Sequence, residues 1–324
     1  MLHKVKNVSA MPDCKKKIPL LCITGPTASG KSALAVRLAQ LLGGEVVSCD
    51  SMQIYRGMDI GTAKPTAEEM CGVPHHMIDI VSPDEDYSCG RYAIEAAEVI
   101  RDIASREALP IVCGGTGLYL DSLIRATEHA DAPSDPSLRE SLLARDGLEL
   151  YAELAAIDPE SAAAIHPNNK RRVARAIEIY RITGRTKTEW DRQSHDAPSP
   201  YDASVVALGY LDRELLYRRI RVRVDEMFER GLCDEVSRLG LDAESTAGAA
   251  IGYKEVGAYL RGECSEEQAR EAVKLATTRY AKRQLSWLRG RNYVRWAMIC
   301  GDPERDRGML DKIVNISLIL TGRR

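Results

Sequence analysis

A short apolar run, Pro19-Leu-Leu-Cys-Ile-Thr24, leads into Gly25-Pro26-Thr27-Ala28-Ser29-Gly30-Lys31-Ser32, and a segment with Leu34, Leu38, Leu41 and Leu42 on one helical face follows. No other stretch restricts the fold as strongly. The loop matches Gly-x-x-x-x-Gly-Lys-Ser, with a strand expected before it and a helix after it. Glycines let the backbone curl until its N–H groups converge on phosphate oxygens, and the helix dipole adds positive charge at the same point. Lys31 can reach a terminal phosphate, and the Ser32 hydroxyl can ligate Mg²⁺. All eight residues from Gly25 to Ser32 are therefore candidates for binding a diphosphate, with Ser32 the metal ligand. The alternative, a chance glycine-rich turn, is disfavoured by the flanks. The loop specifies a diphosphate or triphosphate without specifying a base.

Glu45-Val-Val-Ser-Cys-Asp50 and Pro110-Ile-Val-Cys-Gly114 are further expected strands, Met77-Ile-Asp-Ile-Val81 is a third, and Tyr92 to Ala108 has helical spacing. Strands alternating with helices imply a mainly parallel sheet covered on both faces. Turn residues crowd Ala130 to Ser137 and Asp196 to Pro200, and only helical patterns lie between. A strand is expected over Ala203 to Gly209 and one helix from Asp212 to Leu239, with Leu216, Ile220, Val224 and Phe228 four apart. Ser265-Glu-Glu-Gln268 reads as a capping box opening a long helix to Arg289. The expected class is α/β: a P-loop NTPase-like parallel sheet with an inserted all-helical subdomain and C-terminal helices. The divisions are a loose tail over 1–18, a core over 19–130 and 201–300, a helical insertion over 131–200, and a C-terminal tail over 301–324. In that tail Leu310 to Leu320 has helical spacing and is expected to dock on the surface.

Nine cysteines are scattered from Cys14 to Cys300 with no C-x-x-C pair, which argues against zinc fingers and a disulfide framework. A reducing, cytoplasmic compartment is expected. No apolar run has the roughly 20 residues of a membrane span, and Met1 to Lys17 lacks the apolar stretch of a secretory signal. The net charge of −2 conceals an asymmetry: residues 168–187 hold seven Lys/Arg against one Glu, and residues 270–295 eight against one. Such concentration points to an anionic partner larger than a metabolite; two solvated helix faces are the alternative.

Asp50 ends the second strand, in the crevice where a doubly wound sheet places ligands. A carboxylate there can take a proton from a nucleophile or align it; a helix N-cap or a metal-bridging role stays open. Gly57 to Lys64 is a glycine-bearing basic loop near the same crevice. Gly114-Gly115-Thr116-Gly117 also follows a strand, where glycines would let a ligand approach and Thr116 offers a hydroxyl. The strand before it ends in glycine rather than the metal-holding Asp a motor ATPase needs. Arg219 and Arg223 lie four apart on one helix and could reach the phosphates, or could pair with nearby acids such as Glu226. The helix from Asn168 brings Arg171, Arg172 and Arg175 to one edge, with Val173, Ile177 and Tyr180 facing inward. The last long helix presents Arg279, Lys282, Arg283 and Arg289, with Tyr280 and Trp287 among them. Guanidinium planes and aromatics can stack on unpaired bases, although Trp287 suits core packing better.

Taken together these segments resemble the tRNA dimethylallyltransferase family. The matching stretches are Gly25 to Ser32, Asp50 to Tyr55 running into Gly57 to Pro65, Gly114 to Tyr119, His166-Pro-Asn168, Ile251 to Glu255, and Lys282 to Arg289. They keep the family's order over roughly Pro19 to Trp296, and the lack of a Cys/His cluster after Arg289 resembles the shorter bacterial form. The resemblance implies transfer of a dimethylallyl group from dimethylallyl diphosphate to the exocyclic amine of the adenosine 3′ to the anticodon. Pyrophosphate would leave, with Mg²⁺ as cofactor and a monomeric enzyme. Asp50, Lys31 and Thr116 would be catalytic, with Asp50 the base; Arg219 and Arg223 would join the loop on the diphosphate. The tRNA contacts implied are Asp50, Ser51, Met52, Gln53, Thr116, Arg139, Arg171, Arg172, Val173, Ala174 and Arg175. They continue with Ala249, Ala250, Ile251, Gly252, Tyr253 and Lys254, and with Lys282, Arg283, Gln284, Leu285, Ser286, Trp287, Leu288 and Arg289. A small-molecule or nucleotide kinase is the rival expectation, and nucleotide binding by the loop stays open.

Overall fold

The computed structural model describes residues 17–125, 133–196 and 199–321. The N-terminal tail therefore falls almost wholly outside the described residues, as do parts of both turn-rich linkers. Six parallel strands, β1 (Ile18–Thr24), β2 (Gly44–Ser48), β3 (His75–His76), β4 (Leu109–Gly114), β5 (Tyr201–Tyr210) and β6 (Val294–Ile299), form one sheet in the order β3-β2-β4-β1-β5-β6. Side chains of the central strand alternate between two cores. Leu21 and Ile23 pack in the layer of α1 (Lys31–Leu42), while Leu20 and Cys22 pack in the layer of α3 (Cys89–Ser105) and α4 (Gly117–Arg125). A one-turn helix, α2 (Ala67–Met70), precedes β3 and carries its own capping box at Thr66 and Glu69.

The insertion contains α5 (Pro136–Ala144), α6 (Gly147–Ile157), α7 (Pro159–Ala164), α8 (Lys170–Thr183) and α9 (Lys187–Asp196). Asp135, Asp146, Asp158 and Asn169 cap the N-termini of the first four, satisfying N–H groups that a helix start leaves open. Leu142, Leu150, Leu154, Val173 and Ile177 form a separate buried core. After β5 come α10 (Arg213–Glu229), α11 (Leu232–Leu239), α12 (Tyr253–Leu260) and α13 (Glu266–Arg289), whose capping box is the expected Ser265–Gln268 pair. The last helix, α14 (Pro303–Thr321), buries Ile313 in the α1 layer, so the C-terminal segment is docked on the core.

Three expectations need correction. Met77 to Val81 is not a strand: Met77 and Asp79 have φ of 61° and 56°, which no ladder tolerates, and only Val81 bridges, to Tyr55. The helix expected over Asp212 to Leu239 breaks at Gly231, φ 93°, into α10 and α11. Tyr180 does not face inward; it is 38 % exposed, whereas Val173 and Ile177 are buried as expected. Strand β6 and helices α4 and α12 have no counterpart in the sequence pattern, because each is short and its apolar residues are set by the neighbours it packs on.

Candidate active site

Strands β2, β4 and β1 are neighbours, so their carboxyl ends bring the phosphate loop, Asp50 and the Gly114–Gly117 loop to one rim. Gly25, Ala28 and Gly30 take φ of 144°, 60° and 87°, the positive values a curled phosphate loop needs. Tertiary contacts hold that curl. Arg219 Nε donates to Ala28 O at 2.8 Å, Tyr210 OH to Ser29 O at 3.3 Å, and the Thr27 N–H to Gln284 Oε1 at 2.9 Å. Gln284 is 6 % exposed, and its Nε2 donates to Gly115 O at 2.9 Å, so one amide ties two loops of the rim to α13.

A cavity of about 310 Å³ opens beside the loop. Thr27, Lys31, Asp50, Arg223 and Gln284 are among its polar walls; Met52, Val224, Met227, Ala250, Ile251 and Val273 are among its apolar ones. Its polarity is graded along two helices. On α10, Arg219 touches the loop, Arg223 lies one turn on and Met227 a further turn, each step rising about 6 Å. On α13, Gln284 touches the loop and Tyr280, Thr277 and Val273 recede from it. Burial holds Lys31 below the usual lysine value, opposed by nearby Cys113 and Asp50. Burial, and then the charge of Arg219, lowers Arg223. Lys31, Arg223 and Arg283 line the cavity with Asp50 as the carboxylate among its lining residues, a positive excess that an anionic ligand would offset.

Asp50 sits in the turn after β2, its Oδ1 accepting from the Met52 N–H at 2.9 Å. The Thr116 hydroxyl accepts from the Ser51 N–H at 3.1 Å, holding that turn against the Gly114–Gly117 loop. Tyr280 comes to within hydrogen-bonding reach of Thr116; burial and the Asp50 charge push its phenol up to about 12, so it stays protonated. The glycines of this loop do not make room for a ligand as expected. A Cβ on Gly115 would lie 2.2 Å from Gln284 Nε2 and one on Gly117 2.3 Å from Trp287 Cδ1, so α13 occupies the space. Trp287 accordingly packs inward, with Arg291 stacked at 4.5 Å from its ring.

The basic residues divide by environment. Arg171 and Arg172 are exposed and join none of the described ion pairs. Arg139 and Arg175 instead converge on Glu178, a fully buried carboxylate that also accepts from the Asp135 N–H at 2.8 Å. Lys254, Lys282, Arg283, Ser286 and Arg289 are exposed, and Arg283 reaches the cavity. Val173, Ala174, Ala250, Tyr253, Leu285 and Leu288 are buried, and Gly252 is also covered. Thr62 and Ala63, from the loop expected near the crevice, and Tyr280, on the expected basic helix, also line the cavity; Thr246 and Thr277 do so too, and no motif spacing in the sequence marks those two.

A family model described as IPP transferase matches residues 53–291, and one described as isopentenyl transferase matches residues 18–81. The tRNA dimethylallyltransferase of Thermoanaerobacter sp. (strain X514) is 45 % identical over 290 residues, 87 % of this chain and 92 % of that protein. The enzyme of the same name from Halalkalibacterium halodurans is 48 % identical over 86 % of this chain and 91 % of its own. Among solved structures, the full-length tRNA isopentenylpyrophosphate transferase from Bacillus halodurans is 41 % identical, with a TM-score of 0.70 over 94 % of this chain and 99 % of that one. A eukaryotic dimethylallyltransferase acting on tRNA reaches a TM-score of 0.83 at 30 % identity, over 95 % and 80 % of the two chains.

Proposed function

The chain belongs to the IPP transferase family, and from that premise we infer that it transfers the dimethylallyl group of dimethylallyl diphosphate to the N6 amine of the adenosine 3′ to the anticodon in tRNA. Pyrophosphate is released and the modified base is N6-dimethylallyladenosine. The observation that carries this reading is the graded cavity: Lys31 and Arg223 at the phosphate loop, Asp50 beside them, and an apolar wall about a helical turn beyond.

The loop N–H groups, Lys31 and Arg223 bind the diphosphate and stabilise the charge that grows on it as the C1–O bond breaks. The adenine N6 attacks C1, and Asp50 takes the proton that the amine loses. That amine is a poor nucleophile because its lone pair is delocalised into the ring, so alignment in the cavity must contribute much of the rate. Met52, Val224, Met227 and Val273 give the prenyl group a place away from water. The adenosine must leave the anticodon stack, at about a few kcal/mol, and the exposed cations Arg171, Arg172, Lys282 and Arg289 supply phosphate contacts.

Mg²⁺ fits this donor set. Ser32 is exposed at the start of α1, its side chain within hydrogen-bonding reach of Cys113, and Mg²⁺ commonly takes few protein ligands where phosphate oxygens are present. When bound, it would neutralise charge on the leaving pyrophosphate. The eight described cysteines are free thiols, which supports a reducing cytoplasmic setting, and no described helix is long and apolar enough to cross a membrane. A monomer suffices, since one chain provides the groups for both substrates.

Incubation with unmodified tRNA and either labelled dimethylallyl diphosphate or labelled ATP tests the reading. Label in the tRNA and pyrophosphate release are expected from the first. ADP release that depends on an acceptor, without prenyl transfer, would replace it with a kinase.

A further inference from the structure

Glu235 in α11 is 2 % exposed and lines no part of the cavity, yet its carboxylate joins two of the cavity's walls. Oε2 accepts from the N–H groups of Asp59 at 3.0 Å and Ile60 at 2.8 Å. Oε1 accepts from Ile60 at 3.1 Å, from Gly61 at 3.0 Å and from the Tyr253 hydroxyl at 2.6 Å. Three successive N–H groups curled round an anion form a nest, here filled by the protein's own side chain. Burial and the adjacent Glu235 carboxylate raise the Tyr253 phenol well above its usual value, so it remains a donor.

The contacts continue to the catalytic turn. Gly61 lies so close to the Tyr253 ring that a Cβ would approach Cε2 to 2.5 Å. Gln53 Nε2 donates to Thr62 O at 3.3 Å and to Ala63 O at 3.2 Å. Gln53 follows Asp50 by three residues, in the turn that the Asp50–Met52 bond closes. Gly61 to Ala63 on one side and Ala250 to Ile251 on the other line the cavity, while Arg219, Tyr210 and Gln284 grip the phosphate loop through hydrogen bonds in which Glu235 takes no part.

We propose that Glu235 is a positioning residue for the transfer, holding the loop at Gly61 and the start of α12 as the wall that seats the acceptor base opposite Asp50. It contributes shape rather than contact, and it leaves the phosphate loop unaffected. The inference rests on the prenyl-transfer reading given above.

Glu235→Gln keeps the size of the side chain but turns an amide NH₂ towards donors. Steady-state kinetics should show kcat/KM for tRNA falling about ten- to a hundredfold, as a misplaced reacting group does. The Kd for inorganic pyrophosphate with Mg²⁺, by calorimetry, should stay within about twofold of wild type. Tyr253→Phe removes one donor and leaves the ring against Gly61, so a smaller loss in the same parameter is expected; Glu235→Asp, keeping the charge, should fall between Glu235→Gln and wild type. If Glu235→Gln does not fold, these two variants decide the matter. Unchanged kcat/KM for tRNA in the variants, or an equal loss of pyrophosphate affinity, would overturn the positioning role. A wild-type enzyme that fails to prenylate tRNA would overturn the reaction instead.

Discussion

Replacing Arg171 and Arg172 with Ala tests whether the insertion grips RNA. Both side chains are exposed on α8, and neither joins a described ion pair. Removing one phosphate-binding cation should flatten the slope of log K against log salt by about 0.7 on a single strand and about 0.9 on a duplex. Two such cations then account for about 1.4 to 1.8. Over the fourfold range from about 50 to 200 mM salt, the double mutant should lose roughly seven- to twelvefold less affinity than wild type. Adding Arg175→Ala should not flatten the slope by a third increment. That guanidinium already donates to the buried Glu178 at 2.9 Å and to Pro133 O at 3.0 Å, so its removal should appear as instability. Arg139 still grips Glu178 after the change, which limits the cost to about 1.5–3 kcal/mol, the worth of a charged hydrogen bond. Fluorescence anisotropy with an unmodified anticodon stem-loop, titrated with salt, gives the slopes; thermal melts give the stability. An unchanged slope in the double mutant would mean that these arginines only solvate a helix. A third equal increment without loss of stability would refute the strut role of Arg175.

Other outcomes follow from the same geometry. Asp50→Asn can keep an oxygen acceptor for the Met52 N–H but not the base, so turnover should fall about 10²–10⁴-fold with little change in tRNA Kd; near-normal turnover would remove Asp50 from catalysis. Lys31→Ala should depress both turnover and pyrophosphate affinity, read by kinetics and calorimetry, and a change in only one would contradict its action on the leaving group. In the insertion, burial pushes Glu178 up, but Arg175 and the Asp135 N–H pull it further down, to a net value below the usual range. A depressed folded value means stability present above the unfolded glutamate value of about 4.3 and lost as pH falls through the folded one. Melting temperatures from pH 6 to pH 3 should therefore fall less steeply in Glu178→Gln than in wild type, and parallel curves would disprove the linkage.

Much of the site is legible in the amino-acid sequence because its chemistry is local. The strand, loop and helix around Gly25 to Ser32 occupy consecutive positions, so one stretch of chain specifies the curl, the dipole and the lysine together. Asp50 is legible for a related reason: in a parallel sheet a residue just past a strand's carboxyl end belongs to the ligand crevice. The Met77–Val81 strand fails because apolar alternation carries no record of φ, and two left-handed residues forbid the ladder.

What the sequence determined by itself was the class of fold, the phosphate grip and the segments that carry positive charge, all set by neighbours in the chain or by simple counts. The tertiary structure alone decided which of those residues meet. Gln284 lies 257 positions from Thr27, and Glu235 174 positions from Gly61. Arg175 and Arg172 look alike as arginines, yet one is half-buried on Glu178 and the other stands in solvent. Hydrogen bonds and desolvation depend on which atoms approach within a few ångströms, and that follows from packing the sheet, the insertion and α10 to α13 together rather than from spacing along the chain.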